Sequence, residues 1–246
     1  MTSLIRGCRT AGLVLLAAAA LAVTRRAQAD DFIVYSPHVV ATQNEIELRG
    51  YSVTDGRGDY DGERAAELSV AHAFNGWWKA ELYLAEYERE PGEVGKLVGY
   101  EFENTFQLSE PGRYWADIGL LASYGHPKGG GPGELEFGPL IEKTVGRFDH
   151  RVNLVWEKEI GAGAASKTEF RYSYQGTYAV SGAFRPGLEA YGRPDDDAYQ
   201  AGPIVAGEWH VPHSTGNVEY RFGVLLGINA AAPRRTWLAQ LEYEFF

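Results

Sequence analysis

From Asn44 onward, apolar and polar residues alternate along the chain. Each run lasts about ten residues with a period of two, the spacing at which successive side chains of a strand point to opposite faces. Clusters of Gly, Pro, Asn, Asp or Ser separate the runs and read as turns. Twelve strands are predicted, near 44–54, 64–74, 77–88, 96–108, 113–125, 133–145, 149–160, 167–178, 182–192, 202–211, 217–228 and 235–246. One parity is apolar and aromatic, as in Trp78, Ala80, Leu82 and Leu84, or Val218, Tyr220, Phe222, Val224 and Leu226. The other is polar and often charged, as in Glu45, Glu47 and Arg49, or Glu219 and Arg221.

A water-soluble barrel or sandwich also alternates, with its apolar face inward. Three features favour the inverted arrangement, a single antiparallel transmembrane β-barrel of about 12 strands. The strands are near the 9 to 11 residues that a tilted strand needs to cross a bilayer. Trp and Tyr recur at the ends of the apolar stripes, as Trp77, Tyr87, Tyr114, Tyr124, Trp209, Trp237 and Tyr243 do, like girdles at two interfaces. Connections alternate between tight turns, such as 74–76, 109–112, 146–148 and 180–182, and longer ones, such as 55–63, 125–132 and 193–200. Closure also leaves no strand edge exposed to lipid.

The start of the chain reads differently. Arg6 and Arg9 precede an apolar run from Ala11 to Val23, and Ala27-Gln28-Ala29 offers a small-x-small cleavage site. Residues 1–29 are therefore expected to be a cleaved secretory signal peptide, because the run falls short of the roughly 20 residues of a membrane helix. The organisation expected is signal 1–29, a periplasmic N-terminal segment 30–43, and a barrel 44–246.

Composition removes several classes. Hydrophobic residues make up 45% of the chain, which argues against disorder, and the lone Cys8 cannot build a disulfide scaffold. Asp and Glu outnumber Lys and Arg by 33 to 23, so no nucleic-acid partner is expected.

The leader, the repeating strands and the closing strand Trp237–Phe246 together resemble a Gram-negative outer-membrane β-barrel. Within that class the chain looks most like the barrels grouped with phenol-degradation pathways. The resemblance implies secretion to the outer membrane and contact with its lipid and lipopolysaccharide. It also implies insertion by the barrel-assembly machinery, which reads a C-terminal aromatic signal. Tyr243, Phe245 and Phe246 stand at that signal, with the apolar parity offset by one from terminal Phe246.

Function must then come from the inward parity. The residues expected to set selectivity are Glu47, Arg49, Glu81, Glu101, Glu103, Asp117, Glu134, Glu136, Arg171, Glu219 and Arg221. Carboxylates dominate them, and an acidic lumen concentrates cations and repels anions. The expectation is a monomeric channel for small neutral, cationic or hydrophobic solutes, without cofactor or metal. The alternative is a closed barrel filled by Glu–Arg pairs such as Glu47 with Arg49, Lys79 with Glu81, Glu169 with Arg171 and Glu219 with Arg221.

An outer-membrane hydrolase is a third reading. His213-Ser214 has residue types suited to nucleophilic catalysis but sits in a turn, and Asp195-Asp196-Asp197 has no His in its loop. Asp55, Asp59, Asp61 and Glu63 resemble a calcium loop only loosely, lacking its ligand order.

Overall fold

The computed structural model describes residues 32–246, so the signal peptide expected at 1–29 lies outside the described residues. The strands are β1 (Asn44–Val53), β2 (Arg64–Asn75), β3 (Trp78–Arg89), β4 (Lys96–Leu97), β5 (Gly99–Gln107), β6 (Asp117–Pro127) and β7 (Gly133–Val145). They continue with β8 (Phe148–Ile160), β9 (Thr168–Tyr178), β10 (Arg185–Arg193), β11 (Ala198–His210), β12 (Asn217–Gly227) and β13 (Arg235–Phe245). Long strands adjacent in sequence pair antiparallel throughout, and β1 pairs with both β2 and β13, which closes a ring of twelve. The two-residue β4 pairs only with the end of β3.

The chain's polar parity faces inward and its apolar parity outward. Ile46, Leu48, Leu82, Phe102, Phe137, Leu188, Phe222 and Leu241 are all exposed on the outer wall. A continuous apolar band of this kind is incompatible with water and matches the hydrocarbon of a bilayer. Aromatic rings ladder along it, among them Phe137, Trp156 and Phe170, and Trp209, Tyr220 and Phe222.

Strand β3 changes phase part-way. Tyr83 pairs with Ser69 and Ala85 with Leu68, so Leu84 is an extra residue, a β-bulge that turns two successive side chains outward. Lys79, Glu81 and Tyr83 face inward before it; Glu86 and Glu88 lie opposite the inward-facing Glu67 and Ala65 after it.

Two sequence expectations need correction. The alternation of loop lengths is weaker than expected: β6 starts only at Asp117, so the connection after β5 spans 108–116, while β10 and β11 are separated by little more than a 3₁₀ turn at Pro194–Asp196. Tyr114, which extended the alternation on paper, lies exposed in that turn.

The second correction concerns the segment expected to be periplasmic. Its described part, 32–43, runs inside the barrel. Phe32 packs edge-on against Tyr51 and Tyr191 of the inner wall, with ring centroids 4.8 and 5.4 Å apart. Ile33 and Tyr35 join a buried cluster with Leu121, Leu140 and Val155. Pro37 lies so close to β6 that a Cβ at Gly119 would sit 2.9 Å from the proline Cβ, so that position requires glycine. Thr42, with φ of 68°, then turns the chain into β1. The physical reason is solvation: Phe32-Ile33-Val34-Tyr35 is too apolar to hang in water, and inward-facing Leu121, Leu140 and Val155 need an apolar partner. Each such side chain fully buried contributes about 1.5–3 kcal/mol.

Candidate functional site in the lumen

The inner wall has a rim at which β1 starts and β13 ends, the terminal rim, and a far rim. Segment 32–43 descends from the far half to the terminal rim and is tied to the wall at nearly every step. The Phe32 carbonyl accepts from Arg221 Nη2 at 2.8 Å. Tyr35 is held as a strand would hold it: its N–H donates to Asn153 Oδ1 at 2.7 Å and its carbonyl accepts from Asn153 Nδ2 at 3.0 Å. Ser36 Oγ donates to Glu142 at 2.9 Å, His38 Nε2 lies 3.0 Å from Asp117, and the Val39 N–H donates to Gln107 Oε1 at 2.8 Å.

Toward the far rim, Val34 belongs to a second apolar cluster with Tyr51, Val53, Ala65, Tyr191, Leu225 and Leu238. The loop after β1 covers it: Asp55 accepts from Arg57 Nη2 at 2.6 Å and from the Arg234 N–H at 2.7 Å, and Tyr60 donates to the Ala231 carbonyl at 2.9 Å. The adjacent guanidinium of Arg57, with help from the two backbone donors, holds the Asp55 carboxyl well below the usual carboxylate range.

Beside segment 32–43, which lines one side of it from Ile33 to Val40, lies a cavity of about 510 Å³ that reaches the terminal rim, where Asn217, Glu244 and Phe246 line it. Its wall has an unusual register. Glu208 lies opposite Glu219, Glu219 opposite Glu242, and Glu242 opposite Glu47, a row of four glutamates across β11, β12, β13 and β1. One step toward the rim, Glu244 faces Glu45. Like charges directly opposed on a sheet are destabilising, so this register carries an electrostatic cost. One step the other way, Arg221, Gln240, Arg49 and Glu67 form the neighbouring row, with Gln240 accepting from Arg221 at 2.8 Å and donating to Glu47 at 2.6 Å.

The cations do not pair as the sequence suggested, apart from Arg49 with Glu47 at 2.9 Å. Lys79 binds Glu45 at 2.6 Å rather than Glu81, Arg171 binds Glu136 and Glu157 rather than Glu169, and Arg221 binds Glu189 at 2.8 Å rather than Glu219. Lys79 and Glu45, Arg221 and Glu189, and Arg171 and Glu136 each stand two strands apart, so these long side chains span the intervening strand inside the concave wall. After this pairing, Glu208, Glu219, Glu242 and Glu244 have no ion pair among the described residues, and neither does Arg185, which lines the same cavity.

All eleven residues expected at the lumen lie on the inward parity, but they divide. Glu47, Arg49, Glu81, Glu219 and Arg221 line the cavity. Asp117 holds the plug through His38, Glu103 accepts from Tyr83 at 3.2 Å, and Glu136 and Arg171 form a buried ion pair toward the far rim. Glu101 and Glu134 sit near that rim, outside the cavity. Sequence reasoning missed the plug ligands Ser36, His38, Gln107 and Asn153, whereas Arg151 and Arg185, which line the cavity, stand on the inward parity that the alternation assigns to them. The readable signal was one large apolar residue on the otherwise polar inward parity of each of β6, β7 and β8, namely Leu121, Leu140 and Val155.

Carboxylate oxygens of Glu45, Glu242 and Glu244 lie within 4.8 Å of one another, as do those of Glu134, Glu136 and Glu157. In the latter group Arg171 pairs with Glu136 and Glu157, and Arg193 with Glu157. The hydrolase candidates are held in turns instead: Ser214 Oγ is 2.9 Å from Tyr243 OH and accepts from the Gly216 N–H, while Asp195 accepts from the Phe170 N–H. Asp55 and Asp61 are likewise engaged in bonds within their loop.

No protein-family model and no curated protein matches the sequence. Solved structures do. An outer membrane channel from Pseudomonas putida F1 superposes with a TM-score of 0.52 over 84% of this chain and 95% of its own, at 12% identity. The fold is that of an outer-membrane β-barrel. The Acinetobacter baumannii outer membrane protein Omp33 (TM-score 0.42, 10% identity, 86% and 99% covered) and an anion-selective porin from Comamonas acidovorans (0.31, 8%, 85% and 99%) are more distant. At these identities the likeness concerns the fold, and the lumen of this barrel must be read from its own residues.

Proposed function

We propose that this outer-membrane barrel is a narrow channel for small neutral or cationic solutes, with the terminal rim toward the periplasm and its own segment 32–43 narrowing the lumen. The observation that carries the reading is the cavity of about 510 Å³ with four carboxylates left unpaired. A dry, purely structural interior could not keep that many ionised groups without partners, so the space holds water and attracts cations. Anions meet the glutamate row and are repelled.

The filled far half favours a second reading, a closed barrel with a binding role. One experiment separates the two. The refolded protein is inserted in a planar bilayer under a salt gradient, and conductance and reversal potential are recorded. Discrete cation-selective steps whose selectivity falls in Glu219→Gln/Glu242→Gln are expected; a folded barrel that carries no current, at any voltage the bilayer survives, overturns the channel.

A further inference from the structure

The cavity leaves two kinds of charge unpaired at once. Among the described residues Glu208, Glu219, Glu242 and Glu244 form no ion pair, and three of them occupy adjacent cross-strand positions whose Cβ atoms stand about 4.5–5.5 Å apart. Arg185 stands on the same cavity, at the start of β10 opposite Ala206, two residues from Glu208 along β11. Its Nε is buried and has no hydrogen-bond partner among the described residues. A buried guanidinium donor without an acceptor is costly, and here the nearby carboxylates do not take it.

Simple ligands leave part of this unsatisfied. An anion would meet Arg185 but also four carboxylates. A metal ion would meet the carboxylates, lie in the same cavity as a guanidinium, and leave Nε orphaned. A diamine would do the same. The complementary ligand carries one carboxylate for Arg185 and more than one cationic group for the glutamates. We propose that the cavity binds basic amino acids of the lysine class, carboxylate toward Arg185 and the two ammonium groups toward the row Glu208–Glu219–Glu242 and Glu244. Size agrees: at roughly 30 Å³ per heavy atom, as in liquid water, the ten heavy atoms of lysine take about 300 Å³. The remainder of the cavity keeps water. The inference names a solute class for the cavity read above as part of a channel, yet it concerns binding and does not require conduction.

The test is isothermal titration of the purified, detergent-solubilised barrel with L-lysine and with 1,5-diaminopentane, which is lysine without its carboxylate. Lysine is expected to bind at least tenfold more tightly. Arg185→Gln should erase that preference while leaving diamine binding in place, and Glu242→Gln/Glu244→Gln should weaken both ligands. Heat-modifiable electrophoretic mobility establishes that each variant is folded. Equal affinity for the two ligands in the wild type overturns the proposal. So does absence of binding up to tens of millimolar, or a lysine preference that survives Arg185→Gln. Lysine binding in a barrel that passes no current would sink the channel and keep the site; current without lysine binding would do the reverse.

Discussion

The two halves of the lumen are built from the same twelve strands and obey opposite rules. Toward the far rim the inward parity turns apolar, with Tyr51, Val53, Leu225 and Leu238 closing around Phe32 and Val34 of the plug. What charge remains there is compensated, as in Arg171 with Glu136 and Glu157. Toward the terminal rim the wall is charged, opposed glutamates stand four in a row, and a cavity remains. The first half is packed as a protein core is packed. The second is kept open at an electrostatic cost, and the difference teaches that one tube can be built for stability at one end and give it up at the other.

The largest effect should come from removing the plug. Deleting residues 32–40 from the mature protein takes away the apolar partner of Leu121, Leu140 and Val155 together with the ligands of Asn153, Glu142 and Asp117. Single-channel conductance is expected to rise several-fold with cation selectivity retained, since the glutamate row is untouched. If conductance is unchanged in a folded deletion variant, the plug does not limit flow and the two halves do not divide the work as described.

The strands were legible in the sequence because period-two alternation follows directly from strand geometry, and a bilayer sharpens it by demanding apolar residues outside. The inward location of Glu47, Glu219 and Arg221 was legible for the same reason. The plug was not, because parity assigns a face and says nothing about what fills the space behind it. Leu121, Leu140 and Val155 carried the hint as apolar residues on a polar parity. Ion-pair partners were invisible for a different reason. Lys79 on β3 chooses Glu45 on β1, over β2, and Arg221 on β12 chooses Glu189 on β10, over β11, choices that depend on register between strands rather than on spacing within one.

The next effect sets one half directly against the other. Leu140→Ala removes a fully buried side chain from the cluster around Tyr35 and should cost about 2–5 kcal/mol of unfolding free energy. Glu242→Gln removes one charge from the opposed row and should leave stability unchanged or raise it, because it relieves like-charge repulsion. Urea unfolding in detergent, followed by tryptophan fluorescence, measures both. Equal destabilisation by the two substitutions would erase the distinction between a packed half and a strained one.

The smallest effect is a pH dependence confined to the far half. The Asp55 carboxylate ties Arg57 and the Arg234 N–H into a clamp above the apolar cluster, and Arg57 in turn reaches the carbonyls of Ala230 and Ala232. Because the folded carboxyl titrates below its unfolded value of about 3.9, its contribution is fully present above that value and is lost as pH falls through the folded one. Amide exchange of Gly62, whose N–H donates to the Val53 carbonyl, should therefore stay protected, after correction for intrinsic rate, from pH 7 to about 4 and open below. Asp55→Asn should bring that opening to neutral pH while leaving the cation selectivity expected of the glutamate row unchanged. Protection that is indifferent to both acid and Asp55→Asn would mean that the apolar cluster, through Tyr60 packed against it, holds the loop without the ion pair.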